Sequence, residues 1–420
     1  MKKKRSLLLP RVLIALVTIM GLVLAWRVAA KKETVDPTSY SFLPFTSAVA
    51  PEFSLSPVGE GFNFVTAITH AGDDRIFVAE LAGVIKVLHP DGHASVFLDI
   101  SDQVTTGGSE YGFYHLIFHP GYHDPGSPGY GAFYVSYSRG PEEVEPSDVD
   151  LVFSKFRVSA DPDVADPASE AYIMVIEQTK PHHKGGSMAF DPRDNSLYLG
   201  VGDDQTAVNA QRNDTPKGKI LRLNVDGVPP HATGDVQSYV TSEIWASGLR
   251  NPWKISLDVP TNRLFIGDVG EVTWEEVNLL PLSAQGTNFG WPCQEGPLLD
   301  PLQLNLAECG GLQYTPPIHT YSHVDGSGRC SVIAGFVNRP YYAPDDGRFV
   351  FGDLCSREVF TLSETGDEWQ RSLLGIREGN IFTTIGEDAQ GIQYLGTLDQ
   401  SGPIYALFIP PVSPGPVRSD

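Results

Sequence analysis

Four segments of this chain gather residue types that do chemistry. In Pro181-His182-His183-Lys184-Gly185-Gly186-Ser187-Met188-Ala189-Phe190, two adjacent histidines precede a glycine pair and an apolar run. A glycine pair lets backbone approach a ligand closely. An imidazole titrates near neutrality, so His183 suits a general base; the plainer alternative is a turn with a solvated histidine. Glu243 to Trp253 ends in Arg250-Asn251-Pro252-Trp253, which places a guanidinium at a strand end. Its fork of donors matches a carboxylate or a developing oxyanion, and it also matches a structural bridge between two units.

The third segment, Gly267-Asp268-Val269-Gly270-Glu271-Val272-Thr273-Trp274-Glu275-Glu276, is rich in glycine and carboxylates. Such loops supply the oxygen ligands that calcium takes, although no dense Asp-x-Asp array is present. The fourth runs from Ser109 and Glu110 to His115, then to Phe118-His119-Pro120. His115, His119 and His123 are spaced by four, a spacing that gathers ligands only on a helix. Pro120 and Gly121 break the segment and its surroundings read as strand, so zinc is not expected there.

The elements that must position these loops are short strands in a repeated pattern. Arg75 to Glu80 is followed by Gly83 to Leu88, and Ser196 to Asp203 by Gly218 to Leu223. Arg263 to Asp268 leads into Trp274 to Leu279, and Arg348 to Asp353 into Glu358 to Leu362. Ile392 to Gly396 leads into Pro403 to Leu407. Each unit is an apolar strand, a small or acidic break, and a second strand. One unit cannot bury both faces alone; stacked radially, the units bury each other and leave few open edges. A spacing of about 40 to 50 residues fits propeller blades. The fold expected is therefore all-β, a six-bladed β-propeller over residues 51–409, with a flat sandwich as the alternative.

Outside that domain, Lys2 to Arg5, the apolar stretch Val12 to Trp26 and Val28-Ala29-Ala30 read as a signal peptide or a retained membrane anchor over 1–30. Residues 31–50 read as a linker and 410–420 as a Pro-rich tail. Either leader places the rest outside the cytoplasm, cell-attached if the segment is retained. There, Cys293–Cys309 and Cys330–Cys355 are the favoured pairs of the four cysteines. The formal net charge of −21, from 51 acidic and 30 basic residues, argues against a nucleic-acid partner.

Taken in order, the segments resemble the glucose/sorbosone dehydrogenase family, soluble six-bladed quinoprotein sugar dehydrogenases. The likeness runs from about residue 55 to 408. It is carried by His183-Lys184-Gly185-Gly186, Gln211 to Leu223, Leu249 to Trp253, Gly267 to Asn278, and Asn288-Phe289-Gly290-Trp291-Pro292. The resemblance implies oxidation of a sugar hydroxyl by pyrroloquinoline quinone (PQQ) with calcium, and an external electron acceptor. It implies that His183 takes the hydroxyl proton, that Arg250 stabilises charge on the quinone oxygen, and that Asn251 contacts the cofactor. It implies that the Gly270 and Glu271 carbonyls hold calcium. Glu110 falls at a substrate-side polar position.

Some positions depart from the family pattern. Gly112-Phe113-Tyr114-His115 is bulkier than the family's Gly-Leu-Leu-Gly, and His182 stands where a shorter polar residue is usual. Well-studied members clamp the cofactor's three carboxylates with a Lys and two Arg; the Lys site falls here at Cys355. No Arg pair is evident in Gly379 to Glu387, which leaves Lys184, Lys219, Arg357 and Arg377 as substitutes. Two other readings use the same scaffold: a binding propeller resembling Hedgehog-interacting protein, and a calcium-dependent lactonase.

Overall fold

Each repeated unit folds into an antiparallel sheet, and six such sheets form a β-propeller. The computed structural model describes residues 53–107, 110–140, 149–226, 243–271, 273–302, 304–339 and 347–410. The expected leader and linker, and the tail beyond Pro410, lie outside these. Among the described residues no helix is long and apolar enough to cross a membrane.

Blades 1 to 6 begin with the innermost strands Val65–His70, Phe113–Phe118, Gly185–Asp191, Pro252–Asp258, Val332–Asn338 and Phe382–Glu387. Each innermost strand contacts the next, and the sixth contacts the first. Hydrogen bonding closes the ring: Ser54–Phe62 pairs with Gly402–Phe408, from Ser54 opposite Phe408 to Val58 opposite Ile404, and completes blade 6.

The second strands, such as Ile76–Glu80, Ser196–Val201 and Arg348–Asp353, are buried throughout. They lie between neighbouring blades, which is why their sequences run apolar instead of alternating. A hydrophobic cluster fills each of the six seams between blades. Burial is thus shared between units, and no blade has a core of its own.

Both disulfides form as the sequence favours, Cys293–Cys309 with Cα atoms 5.4 Å apart and Cys330–Cys355 with 5.6 Å. The first lies in a long excursion, 282–318, between the third and fourth strands of blade 4. This excursion returns to blade 3, where Thr287–Asn288 pairs in parallel with Ile244–Ser247.

Because neighbouring strands are antiparallel, the start of each inner strand and the end of each second strand share one face. His183 and Arg250 precede inner strands; Asp203 and Asp268 to Glu271 lie at or just beyond second-strand ends. The topology therefore collects all of them on one mouth. The three spaced histidines do not gather. His115 lies on an inner strand, His119 Nε2 is 3.1 Å from Asp226, and His123 is exposed beside Asp73.

A lysine crosses the channel. Lys254, on the inner strand of blade 4, donates to Thr66 O of blade 1 at 2.7 Å and Tyr114 O of blade 2 at 3.1 Å. Burial pushes its pKa down to about 7. Between that value and the unfolded value of about 10.4, the unfolded chain binds one proton more, so stability gains with rising pH. Lys254→Met removes this dependence. In urea titrations, the native chain is expected to lose ground against the variant from about pH 10 down to about 7, and no further below. A pH-independent difference would contradict the assignment.

Candidate functional site

His183 enters the mouth from blade 3 with φ of 61°, a left-handed backbone that non-glycine residues hold only when their surroundings impose it. Its Nδ1 lies 2.6 Å from Asp203 Oδ1. Since a carboxylate accepts, Nδ1 carries the proton, and Nε2 is left as the acceptor on the open side. Asp203 is almost fully buried, and its second oxygen accepts from Trp291 Nε1 at 2.8 Å. The Asp203 peptide N–H donates to Arg250 O at 2.8 Å, which joins blade 3 to blade 4.

The histidine loop is braced on both sides. Glu110 Oε2 accepts from the His183 peptide at 2.7 Å and the Lys184 peptide at 3.4 Å, and Oε1 lies 3.4 Å from His182 Nδ1. Burial opposes its ionised form, but the His182 bond and the two neighbouring histidines hold its pKa low. Asp204 accepts from the Thr179 and Lys180 peptides and from Lys217 Nζ at 2.7 Å, with Lys184 Nζ at 3.6 Å. Burial pushes Lys184 down to about 8. Lys219 is likewise buried, donating to the carbonyls of Asn209, Ala210 and Lys217, and is pushed down to about 7. Lys184 thus holds the histidine loop from inside, and Lys219 holds the connection from Asn209 to Lys217. Gly185 has φ of 65°, and a side chain there would meet Gly200 O at 2.7 Å.

Arg250 and Asn251 form a turn held by one carboxylate: Asp268 accepts from their peptides at 2.9 and 2.6 Å. Burial, helped by Glu276, pushes the Asp268 pKa up against those two donors. The Arg250 guanidinium donates to Val269 O at 2.7 Å and to the Glu271 carboxylate, and lies 5.9 Å over the Trp291 ring. Its Nε is buried without a partner among the described residues. Asn251 Oδ1 accepts from the Gly185 peptide at 3.0 Å, which leaves its Nδ2 as the amide's remaining donor. Glu271 Oε2 is also 3.9 Å from His183 Nε2. The carboxylate therefore pairs with the guanidinium and stands near the imidazole without a hydrogen bond to it.

The Gly270–Glu271 loop is wrapped by acids. The Glu271 and Thr273 peptides donate to Glu295 at 2.6 and 3.2 Å, and the Gly270 peptide to Glu275 at 3.3 Å. In a trans peptide the carbonyl points away from the N–H, so Gly270 O faces away from Glu295. Neither the Gly270 nor the Glu271 carbonyl accepts a hydrogen bond among the described residues. Among those residues no group of three or more His, Cys, Asp or Glu side chains is arranged to hold a metal.

Across the mouth, Asp353 takes five donors: the peptides of Cys330, Ser331, Cys355 and Ser356, and the Tyr321 hydroxyl. The structure thus brings His183, Arg250, Asn251 and Glu271 together, with Glu110 beneath them as a brace. Asp203 and Trp291 were not legible in the sequence as members of the site, and Asp268 and Glu271 were legible only as part of a carboxylate-rich loop, not for their contacts with the Arg250–Asn251 turn and the guanidinium. The paired acids after Gly202 were the one local signal for Asp203; nothing local ties it to position 291.

A sequence model of the family described as Glucose / Sorbosone dehydrogenase matches residues 62–404. The HIPL2 protein of Arabidopsis thaliana is 27% identical over 75% of this chain and 54% of its own length. Human Hedgehog-interacting protein is 29% identical over 49% of this chain and 32% of its own. The chain spans about half the length of the first of these curated relatives. The soluble aldose sugar dehydrogenase of Escherichia coli superposes with a TM-score of 0.68 over 85% of this chain and 99% of its own, at 19% identity. The PQQ-bound aldose sugar dehydrogenase of Streptomyces coelicolor gives 0.62 over 86% and 99%, also at 19%. At such identity these structures speak for the fold.

Asp204→Asn would leave Lys184 buried without its counter-charge. The expected loss is about 3 kcal/mol of unfolding free energy, measured by urea denaturation; a change below about 0.5 kcal/mol would show that Asp204 is not the brace.

Proposed function

Because the chain belongs to the glucose/sorbosone dehydrogenase family, we propose that it oxidises a hydroxyl of an aldose, with PQQ and calcium as cofactors. The observation that carries this reading is the convergence of an imidazole acceptor, a guanidinium and an amide donor from two blades. The donor set fits an oxygen-rich planar ligand: Arg250 has an orphaned buried Nε, and Asn251 Nδ2 is without a partner among the described residues. The two peptide oxygens at Gly270 and Glu271, neither hydrogen-bonded, fit a hard cation that takes its other oxygens from ligand and water.

When bound, PQQ supplies a quinone pair that accepts a hydride equivalent, and calcium supplies Lewis-acid polarisation. Arg250 and Asn251 hold the ligand oxygen and stabilise negative charge on it. His183 Nε2 takes the proton of the sugar hydroxyl, and the resulting imidazolium is steadied by Asp203. Trp291 keeps Asp203 from turning away. Glu271 must leave Arg250 for an anionic ligand to enter.

Reoxidising the cofactor would call for an external electron acceptor. Two disulfides fit an extracytoplasmic location; export through residues 1–30, cleaved or retained, and a propeller domain over 51–409 belong to the same proposal. A second reading, a binding propeller, is favoured by Cys355, a disulfide half where the resemblance places a cationic Lys. The lactonase reading calls for a cage of acidic side chains, which the described residues do not form.

The test is dye reduction by the purified chain, reconstituted with PQQ and calcium, on a panel of aldoses. Turnover is expected, lost on chelating calcium, and lowered at least about 100-fold in kcat by His183→Ala. No turnover and no protection against heat would leave only the binding reading.

A further inference from the structure

The sequence offers four cations to meet a ligand's carboxylates, and the structure removes two. Lys184 is buried on Asp204 and the Lys180 carbonyl, and Lys219 is enclosed by three carbonyls. Neither reaches the mouth. The other two stand together at the seam of blades 5 and 6. Arg357 follows the second strand of blade 5, and Arg377 precedes the inner strand of blade 6. By the topology both lie on the face that carries His183 and Arg250.

The two residues are built into one unit. The Arg377 peptide donates to Arg357 O at 2.9 Å. Arg357, with φ of 61°, sends NH1 to Gly379 O at 2.5 Å, and Arg377 sends NH1 to Asn380 O. Both guanidiniums therefore pack on the same two-residue turn. Arg377 is 5% exposed, lies 4.6 Å over the Tyr405 ring, and keeps a buried Nε without a partner among the described residues. Its one carboxylate, Asp399 at 3.4 Å, is shared with Asn380 and Thr397. Arg357 has no carboxylate within 4 Å among the described residues, although acids dominate this chain and Arg75, Arg139, Arg193 and Arg329 are each paired. Two adjacent like charges with one shared counter-charge favour an incoming anion.

We propose that Arg357 and Arg377 form a carboxylate-binding site at the blade 5–6 seam of this mouth. Arg357, half-buried, is the direct fork to the carboxylate; Arg377 fixes the Gly379–Asn380 turn and adds its charge from behind. Identifying the ligand as PQQ rests on the oxidation reading above, while the anion site itself does not.

The experiment measures binding, with no turnover needed. PQQ and 1,10-phenanthroline-5,6-dione, which keeps a quinone pair but carries no carboxylate, are titrated with calcium into the full chain and into Arg357→Gln, followed by absorbance. The expected result is PQQ affinity lowered about tenfold or more by the substitution, with the dione unchanged within about twofold. Unchanged PQQ affinity, or equal loss for both probes, would overturn the site. If the native chain takes up neither quinone, the oxidation reading fails, and citrate decides the anion site alone. A melting temperature raised by citrate in the native chain but not in Arg357→Gln supports it; no difference between them overturns it.

Discussion

One buried carboxylate holds the mouth together. Asp203 accepts from the ring N–H groups of His183 and Trp291, and its peptide donates to the Arg250 carbonyl. These partners come from blade 3, the blade 4 excursion and the blade 3–4 connection, so the Asp203 side chain ties two stretches of chain together and its peptide ties in a third. Inside the protein such charge-assisted bonds are strong, and leaving any of them unmade is costly. Orientation of the imidazole, and with it the exposure of Nε2, follows from this arrangement.

The surrounding acids do a different job. Asp268, Glu275 and Glu295 accept mainly from peptides, and by doing so turn loop N–H groups inward. Burial pushes the pKa values of Asp268 and Glu275 up, and Glu276 up to about 7. The loops at the mouth thus owe their shape to buried carboxylates. Glu271 is the exception: exposed, it occupies the guanidinium directly. The long excursion with the Cys293–Cys309 bridge exists, in this view, to deliver Trp291 and Glu295 to two neighbouring loops.

The architecture was readable because second and third strands repeat a composition. Ser196–Val201 and Arg263–Asp268 are apolar runs ended by small or acidic residues, as a strand buried on both faces requires. Inner strands such as Val65–His70 and outer ones such as Glu368–Ile376 lack that signature. The first faces a polar channel and the second faces water, so their patterns are mixed. In the site, His183 and Arg250 stood out through neighbouring glycines and Asn-Pro turns. Asp203 and Trp291 did not, because a contact across 88 positions leaves no local trace. For Glu110, the residue was legible but its hydrogen bonds to the His183 loop were not.

The most direct measurement is a crystal structure of the chain soaked with PQQ and calcium. The quinone oxygens are expected against Arg250 and Asn251 Nδ2, with His183 Nε2 facing the open side of the ligand and the cation on the Gly270 and Glu271 carbonyls. The Glu271 carboxylate is expected to have left the guanidinium. Ligand density elsewhere on the propeller, with Glu271 still bound to Arg250, would contradict it.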